Sequence, residues 1–161
     1  MSELKIRPAT LSDLSTIRAM EASIFPTPWS EEMIAAELSG DPLRIALLAL
    51  QEEIPVGYIF CWAVADELHV VNLGVIETQR RKGHGQALLQ AVLKHPRARE
   101  ASLVTLEVRV DNESARAFYR RNGFKEIALR KGYYPDTGED ALVMLKNLGS
   151  EGGFTPDPAP R

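Results

Sequence analysis

Apolar and polar residues alternate at Leu4-Lys5-Ile6-Arg7, which predicts a half-buried strand. The period then lengthens, with Leu14, Ile17, Met20 and Ile24 at helical spacing behind the capping oxygens of Thr10, Ser12 and Asp13. Phe25-Pro26-Thr27-Pro28-Trp29 ends that helix, because each proline lacks a donor and restricts the residue before it. Ser30-Glu31-Glu32 starts a second helix that runs to Leu38 and stops at Gly40-Asp41-Pro42. Three segments rich in Val, Ile, Leu and aromatics follow: Leu43–Leu50, Val56–Val64 and Leu68–Val75. The short breaks between them, Glu52-Glu53-Ile54-Pro55 and Ala65-Asp66, predict an antiparallel meander. In the third segment the alternation changes phase between Val70 and Val71, which predicts a local irregularity, a β-bulge near Gly74.

Helical spacing returns at Leu88, Leu89, Val92 and Leu93 and ends at His95-Pro96. Leu103–Val110 reads as a strand with Leu106, Val108 and Val110 on one face and Thr105, Glu107 and Arg109 on the other. Asn112 can cap a helix carrying Ala115, Phe118 and Tyr119, which closes on Arg120, Arg121 and Gly123 as a dipole-matched C-terminus. Two last strands bracket Tyr133-Tyr134-Pro135-Asp136-Thr137-Gly138. Residues 148–161 hold too much Gly and Pro to pack, so a flexible tail is expected after a single α/β domain over residues 1–147.

Composition narrows the function classes. The 161 residues are 45% hydrophobic and 25% charged, the range of one globular domain. The net charge of -3, without any run of five like charges, argues against broad nucleic-acid binding. No apolar stretch approaches the roughly 20 residues that cross a bilayer, and Met1–Arg7 lacks a signal peptide's apolar core, so a cytoplasmic protein with no membrane partner is expected. Cys61 is the single cysteine, and His69, His84 and His95 lack metal-ligand spacing; no metal is expected.

Arg80-Arg81-Lys82-Gly83-His84-Gly85 stands between a strand and a helix. That order presents free backbone N–H groups and a positive dipole end to an anion, with glycines permitting close approach. A turn with solvated basic residues would look the same. The segment is not a P-loop, because G-x-x-x-x-G-K-[ST] is absent, and Leu88 stands where a dinucleotide fingerprint needs its third glycine.

Arg80, Gly83 and Gly85 match in register the R/Q-x-x-G-x-G/A loop of the GNAT superfamily of acetyltransferases, which the chain resembles. Phe25-Pro26-Thr27-Pro28-Trp29-Ser30, Asn72-Leu73-Gly74-Val75, Thr105-Leu106-Glu107-Val108-Arg109, Asn112, Ala117-Phe118-Tyr119, Gly123-Phe124, Tyr133-Tyr134-Pro135 and Glu139-Asp140-Ala141 narrow the likeness. In order and spacing they resemble the bacterial Rim-type ribosomal-protein-alanine N-acetyltransferases, over residues 4 to about 147. Thr27 and Pro28 lengthen the Phe-Pro-Trp-Ser segment, and Gly132 replaces a commonly polar residue; both bear on substrate choice.

The resemblance implies the GNAT acyltransferase fold, a central mixed, mostly antiparallel sheet flanked by helices. It also implies direct transfer of acetyl from acetyl-coenzyme A to a protein's N-terminal α-amine, with the N-terminal alanine of a small-subunit ribosomal protein as acceptor. The cosubstrate would be held by Leu73, Gly74 and Val75, by the run Arg80, Arg81, Lys82, Gly83, His84, Gly85 and Gln86, and by Asn112. Glu107 would be the general base, Tyr119 the general acid, and Tyr133 and Tyr134 the acceptor's loop. Rival functions are acetylation of a free small amine and a coenzyme A sensor without turnover; a sensor has no use for an acid and a base.

Each residue also has a plain reading. Glu107 could be a solvent-facing carboxylate paired with Arg109, Tyr119 a core-edge aromatic, Asn112 only a helix cap and Trp29 simple packing. Cys61 reads as core filler and His84 as an exposed loop histidine without catalytic duty. An ordinary glutamate facing an α-ammonium is short by about 3.5 pKa units, roughly 5 kcal/mol. Either burial raises Glu107 or a water relays the proton. A lysine acceptor would cost about 3.4 kcal/mol more to deprotonate than an α-amine.

Overall fold

The computed structural model describes residues 3–149, so the expected tail lies outside the described residues from 150 onward. Seven strands and four α-helices alternate in the order β1 (Leu4–Pro8), α1 (Leu14–Ile24), α2 (Glu31–Glu37), β2 (Arg44–Gln51), β3 (Ile54–Val64), β4 (Glu67–Val75), α3 (His84–Leu93), β5 (Leu103–Arg109), α4 (Glu113–Arg121), β6 (Lys125–Arg130) and β7 (Ala141–Asn147). The sheet order is β1-β2-β3-β4-β5-β7-β6. β1 with β2, β2 with β3, β5 with β7 and β6 with β7 pair antiparallel, whereas β4 with β5 is parallel and requires the crossover that α3 supplies. The expected mixed, mostly antiparallel α/β sheet is therefore what forms.

The chain divides into two compact units, residues up to Ala63 with Val71–Arg99, and Val64–Val70 with Glu100 onward; β4 passes from one to the other. The parallel ladder runs from Glu67↔Leu103 to Val70↔Leu106 and ends where the alternation changes phase. Register shifts fall at Ala49/Leu50 and Glu126/Ala128. The first turn of the meander is tighter than expected: Ile54 and Pro55 already belong to β3, and Glu52 and Glu53 alone reverse the chain at φ 54° and 67°. Two consecutive left-handed residues match the right-handed twist of the flanking strands.

In the first unit, Ile17 and Met20 of α1 and Ile34 of α2 pack with Leu38 on Leu48, Leu50, Tyr58 and Phe60. In the second, Leu106, Val108, Tyr119, Phe124 and Met144 are buried, while all of β6 is exposed at the sheet edge. No helix among the described residues is long and apolar enough to cross a membrane, and none of them forms a cluster of three or more metal-ligating His, Cys, Asp or Glu.

The start of α1 is pinned electrostatically. Arg7 donates to both oxygens of Asp13 at 2.9 Å, and Thr10 N donates to Oδ2 at 2.9 Å. The Arg7 bond holds the nearly buried Asp13 carboxyl below its ordinary range, so the stability it gives is full above the unfolded pKa of about 3.9 and lost as pH falls through the lower folded value. Asp13→Asn is expected to cost about 2 kcal/mol at pH 7 and much less near pH 3, read by urea unfolding at the two pH values. A difference independent of pH would contradict this.

Candidate active site

The basic loop does form the entrance to a helix. Arg80 is extended, Arg81 takes φ 64° and Gly83 φ 85°, after which α3 begins at His84. The N–H groups of His84, Gly85 and Gln86 lie in the first turn, where no preceding helical carbonyl can accept them. Arg80, Arg81, Lys82 and Gly83 are exposed, and a Cβ at Gly83 would meet nothing within 4 Å, so the loop leaves room above the helix end. Arg80 Nε donates to Val75 O at 3.0 Å, tying the loop to the end of β4. His84 differs from expectation: it is buried, as the first residue of α3, with Nε2 3.4 Å from Gln79 Oε1. Burial, with Lys82 nearby, lowers its pKa and keeps the imidazole neutral at pH 7.

Leu73, Gly74 and Val75 end β4 beside a buried polar cluster that the sequence did not disclose. Glu21 of α1 is 1% exposed, and its carboxylate accepts from Tyr58 Oη, from Asn72 Nδ2 at 2.9 Å and from Trp29 N at 2.9 Å. A buried carboxylate persists when its lone pairs are matched by donors, as here. A Cβ at residue 74 would lie 2.8 Å from Tyr58 Oη, so glycine is required for the tyrosine to reach Glu21. Trp29 packs on Phe60 at 5.8 Å, as its plain reading held, and its backbone amide fixes the proline segment to α1. Glutamate at helical spacing within an apolar stripe was the available signal.

Glu107 sits on the polar face of β5 with a side chain only 13% exposed. It does not pair with Arg109. Its Oε1 lies 3.0 Å from His69 Nε2 of β4, and Oε2 accepts from Arg130 at 3.3 Å. Parallel register sets this geometry, because His69 stands opposite Thr105, two residues before Glu107 on the same face. The bond from His69 holds the Glu107 carboxyl below its ordinary range, with Arg130 adding to the effect and partial burial opposing it. The hydrogen bonds thus outweigh burial at this carboxylate, and its pKa is lowered, not raised.

Arg109 instead organises the loop between β6 and β7. It donates to Glu139 at 2.7 Å, Thr137 Oγ1 at 3.1 Å and Asp136 at 3.0 Å, and its guanidinium lies 4.0 Å from the Tyr134 ring centroid. Arg130 lies 4.6 Å from the Tyr133 ring, so the cation that touches Glu107 also stacks on the first tyrosine. Tyr133 and Tyr134 meet edge to face at 5.0 Å. Desolvation pushes the Tyr134 phenol up to about 12, leaving a neutral hydrogen-bonding group.

Asn112 caps α4, its side chain accepting from Ala115 N at 3.1 Å. Tyr119 is buried between Phe118 and Phe124, with ring centroids at 5.1 and 5.4 Å in edge-on contact. Cys61 is fully buried, and burial raises its thiol pKa, which suits core filler and not a nucleophile. The cosubstrate candidates at 73–75 and 80–86 thus lie in the first unit, and Glu107, Asn112, Tyr119, Tyr133 and Tyr134 in the second.

Residues 14–124 match the acetyltransferase (GNAT) family model. The chain is 32% identical over 135 residues to the ribosomal protein bS18-alanine N-acetyltransferase of Escherichia coli (strain K12), covering 83% of this chain and 90% of that one. It is 34% identical over 159 residues to an N-alpha-acetyltransferase of Sulfurisphaera tokodaii, covering 91% and 94%. The crystal structure of the ribosomal-protein-S18-alanine N-acetyltransferase from Escherichia coli superposes with a TM-score of 0.82 at 27% identity, over 95% of this chain and all of that chain.

Proposed function

The chain belongs to the acetyltransferase (GNAT) family, and from that premise we propose that it transfers acetyl from acetyl-coenzyme A to the N-terminal α-amine of a protein. The acceptor in this reading begins with alanine and is a small-subunit ribosomal protein, the kind of substrate named for the Escherichia coli relative. The observation that carries the reading is the Glu107 cluster: a carboxylate held by His69 and Arg130, with Arg130 stacked on Tyr133 and Arg109 of the same strand stacked on Tyr134.

When bound, the cosubstrate supplies a thioester carbonyl open to attack and a thiolate leaving group. The α3 N-terminus and Arg80, Arg81 and Lys82 fit its pyrophosphate: first-turn N–H groups, a glycine with open space above it and three exposed cations. Glu107 receives the proton that the amine loses. With its pKa held down, it does so through a relay and not as a strong base, which favours an α-amine near 7.7 to 8.0 over a lysine near 10.4 by roughly 3.4 kcal/mol. Tyr119 supplies the proton to the leaving thiolate, Asn112 orders the helix that carries it, and Tyr133 and Tyr134 hold the acceptor's first residues.

The expected result is thiol release from acetyl-coenzyme A with an alanine-starting peptide and none with the same peptide blocked at its N-terminus. Release with free small amines but neither peptide would replace this reading by a small-amine acetyltransferase, and cofactor binding without release would replace it by a sensor.

A further inference from the structure

The Glu107 carboxylate is the inner end of a chain of side-chain hydrogen bonds. Oε1 meets His69 Nε2 at 3.0 Å, His69 Nδ1 meets Thr105 Oγ1 at 2.9 Å, and Thr105 Oγ1 donates to Glu67 Oε2 at 2.6 Å. All four residues belong to β4 and β5 and project from one face of their parallel ladder. Exposure grows along the route's second half, since Glu107 and Thr105 are largely enclosed while Glu67 is exposed. We propose that Glu107, His69, Thr105 and Glu67 form a proton exit wire that carries the proton released by the amine to solvent; this rests on the reading of Glu107 as proton acceptor.

The proton count balances for this transfer. Three contacts need one proton each, because carboxylates accept unless protonated and the threonine hydroxyl has a single proton to give. With Thr105 donating to Glu67, its oxygen must accept from His69 Nδ1–H, and the proton between His69 Nε2 and Glu107 rests on one of those two atoms. With Glu67 protonated instead, Thr105 donates to Nδ1 and Nε2–H donates to Glu107. The two arrangements hold equal numbers of protons and differ in polarity. When Glu107 has taken a proton, its O–H breaks as Nε2–H forms, Nδ1–H breaks as a threonine O–H forms, and the original threonine O–H breaks as Glu67 O–H forms. No electrons change hands, the imidazole changes tautomer, and Glu67 loses the proton to water. Between turnovers the ring, 25% exposed, exchanges with solvent and resets.

The test is steady-state thiol release with acetyl-coenzyme A and an alanine-starting peptide. Thr105→Val keeps shape and removes the relay hydroxyl, Thr105→Ser restores it, and Glu67→Gln removes the outer acceptor at an exposed position. The valine and glutamine variants are expected to lower kcat about tenfold with KM within about twofold of the parent, serine to be parent-like, and added imidazole to raise the kcat of the valine variant. In 15N spectra, Thr105→Val is expected to shift the His69 ring nitrogens. Parent-like kcat in Glu67→Gln, with Glu107→Gln inactive, overturns the wire and leaves the function standing. Parent-like kcat in Glu107→Gln removes the proton acceptor itself, and the wire with it.

Discussion

Glu107→Gln is expected to lower kcat for an alanine-starting peptide by about a thousandfold, within the range that general base catalysis supplies. The amide keeps an oxygen for His69 or Arg130, so folding and KM for acetyl-coenzyme A should stay close to the parent. The pH profile gives the sign. Because His69 and Arg130 hold the carboxyl below its ordinary range, Glu107 is ionised throughout the neutral region, and activity should fall on the acid side through protonation of the amine acceptor and not of Glu107. The acid limb should therefore lie near pH 7 to 8, the α-amine range, when measured at subsaturating peptide. A loss below tenfold in the glutamine variant would remove Glu107 from the chemistry.

Glu21→Ala is expected to be the most damaging change to stability. The carboxylate is buried and satisfies three donors, Tyr58 Oη, Asn72 Nδ2 and Trp29 N, from β3, β4 and the proline segment. Its removal strands them without water and opens a cavity, which should cost about 3–5 kcal/mol. Glu21→Gln, which still offers an oxygen, should cost less. Urea unfolding of both variants measures this, and a loss under about 1 kcal/mol in the alanine variant would mean that the donors find other partners.

Hydrophobic periodicity carried most of the fold. The stripe Leu14, Ile17, Met20, the alternation in Leu103–Val110 and the stops at Gly40-Asp41-Pro42 and His95-Pro96 are local signals, and the elements form where they point. The parallel ladder of β4 with β5 ends at Val70, where the alternation changes phase. Pairings across the sheet were not legible. Nothing in spacing says that His69 of one strand will stand beside Thr105 and within reach of Glu107 on another; that follows from the register of β4 on β5. Arg109 is the nearest opposite charge to Glu107 in sequence, but the loop's own Asp136 and Glu139 claim that arginine. Glu21 hid within an apolar helix face, where a charged residue is ordinarily taken for a solvent-facing neighbour. A loop position suggests an exposed His84, but the helix already begins at that residue and buries it.

The most direct measurement is the site of acetylation. A peptide with a free N-terminal alanine and an internal lysine, incubated with the protein and acetyl-coenzyme A and fragmented in a mass spectrometer, is predicted to carry one acetyl group, on the α-nitrogen of alanine. Acetyl on the lysine side chain, or an unmodified peptide under conditions where acetyl-coenzyme A binds, would contradict the account.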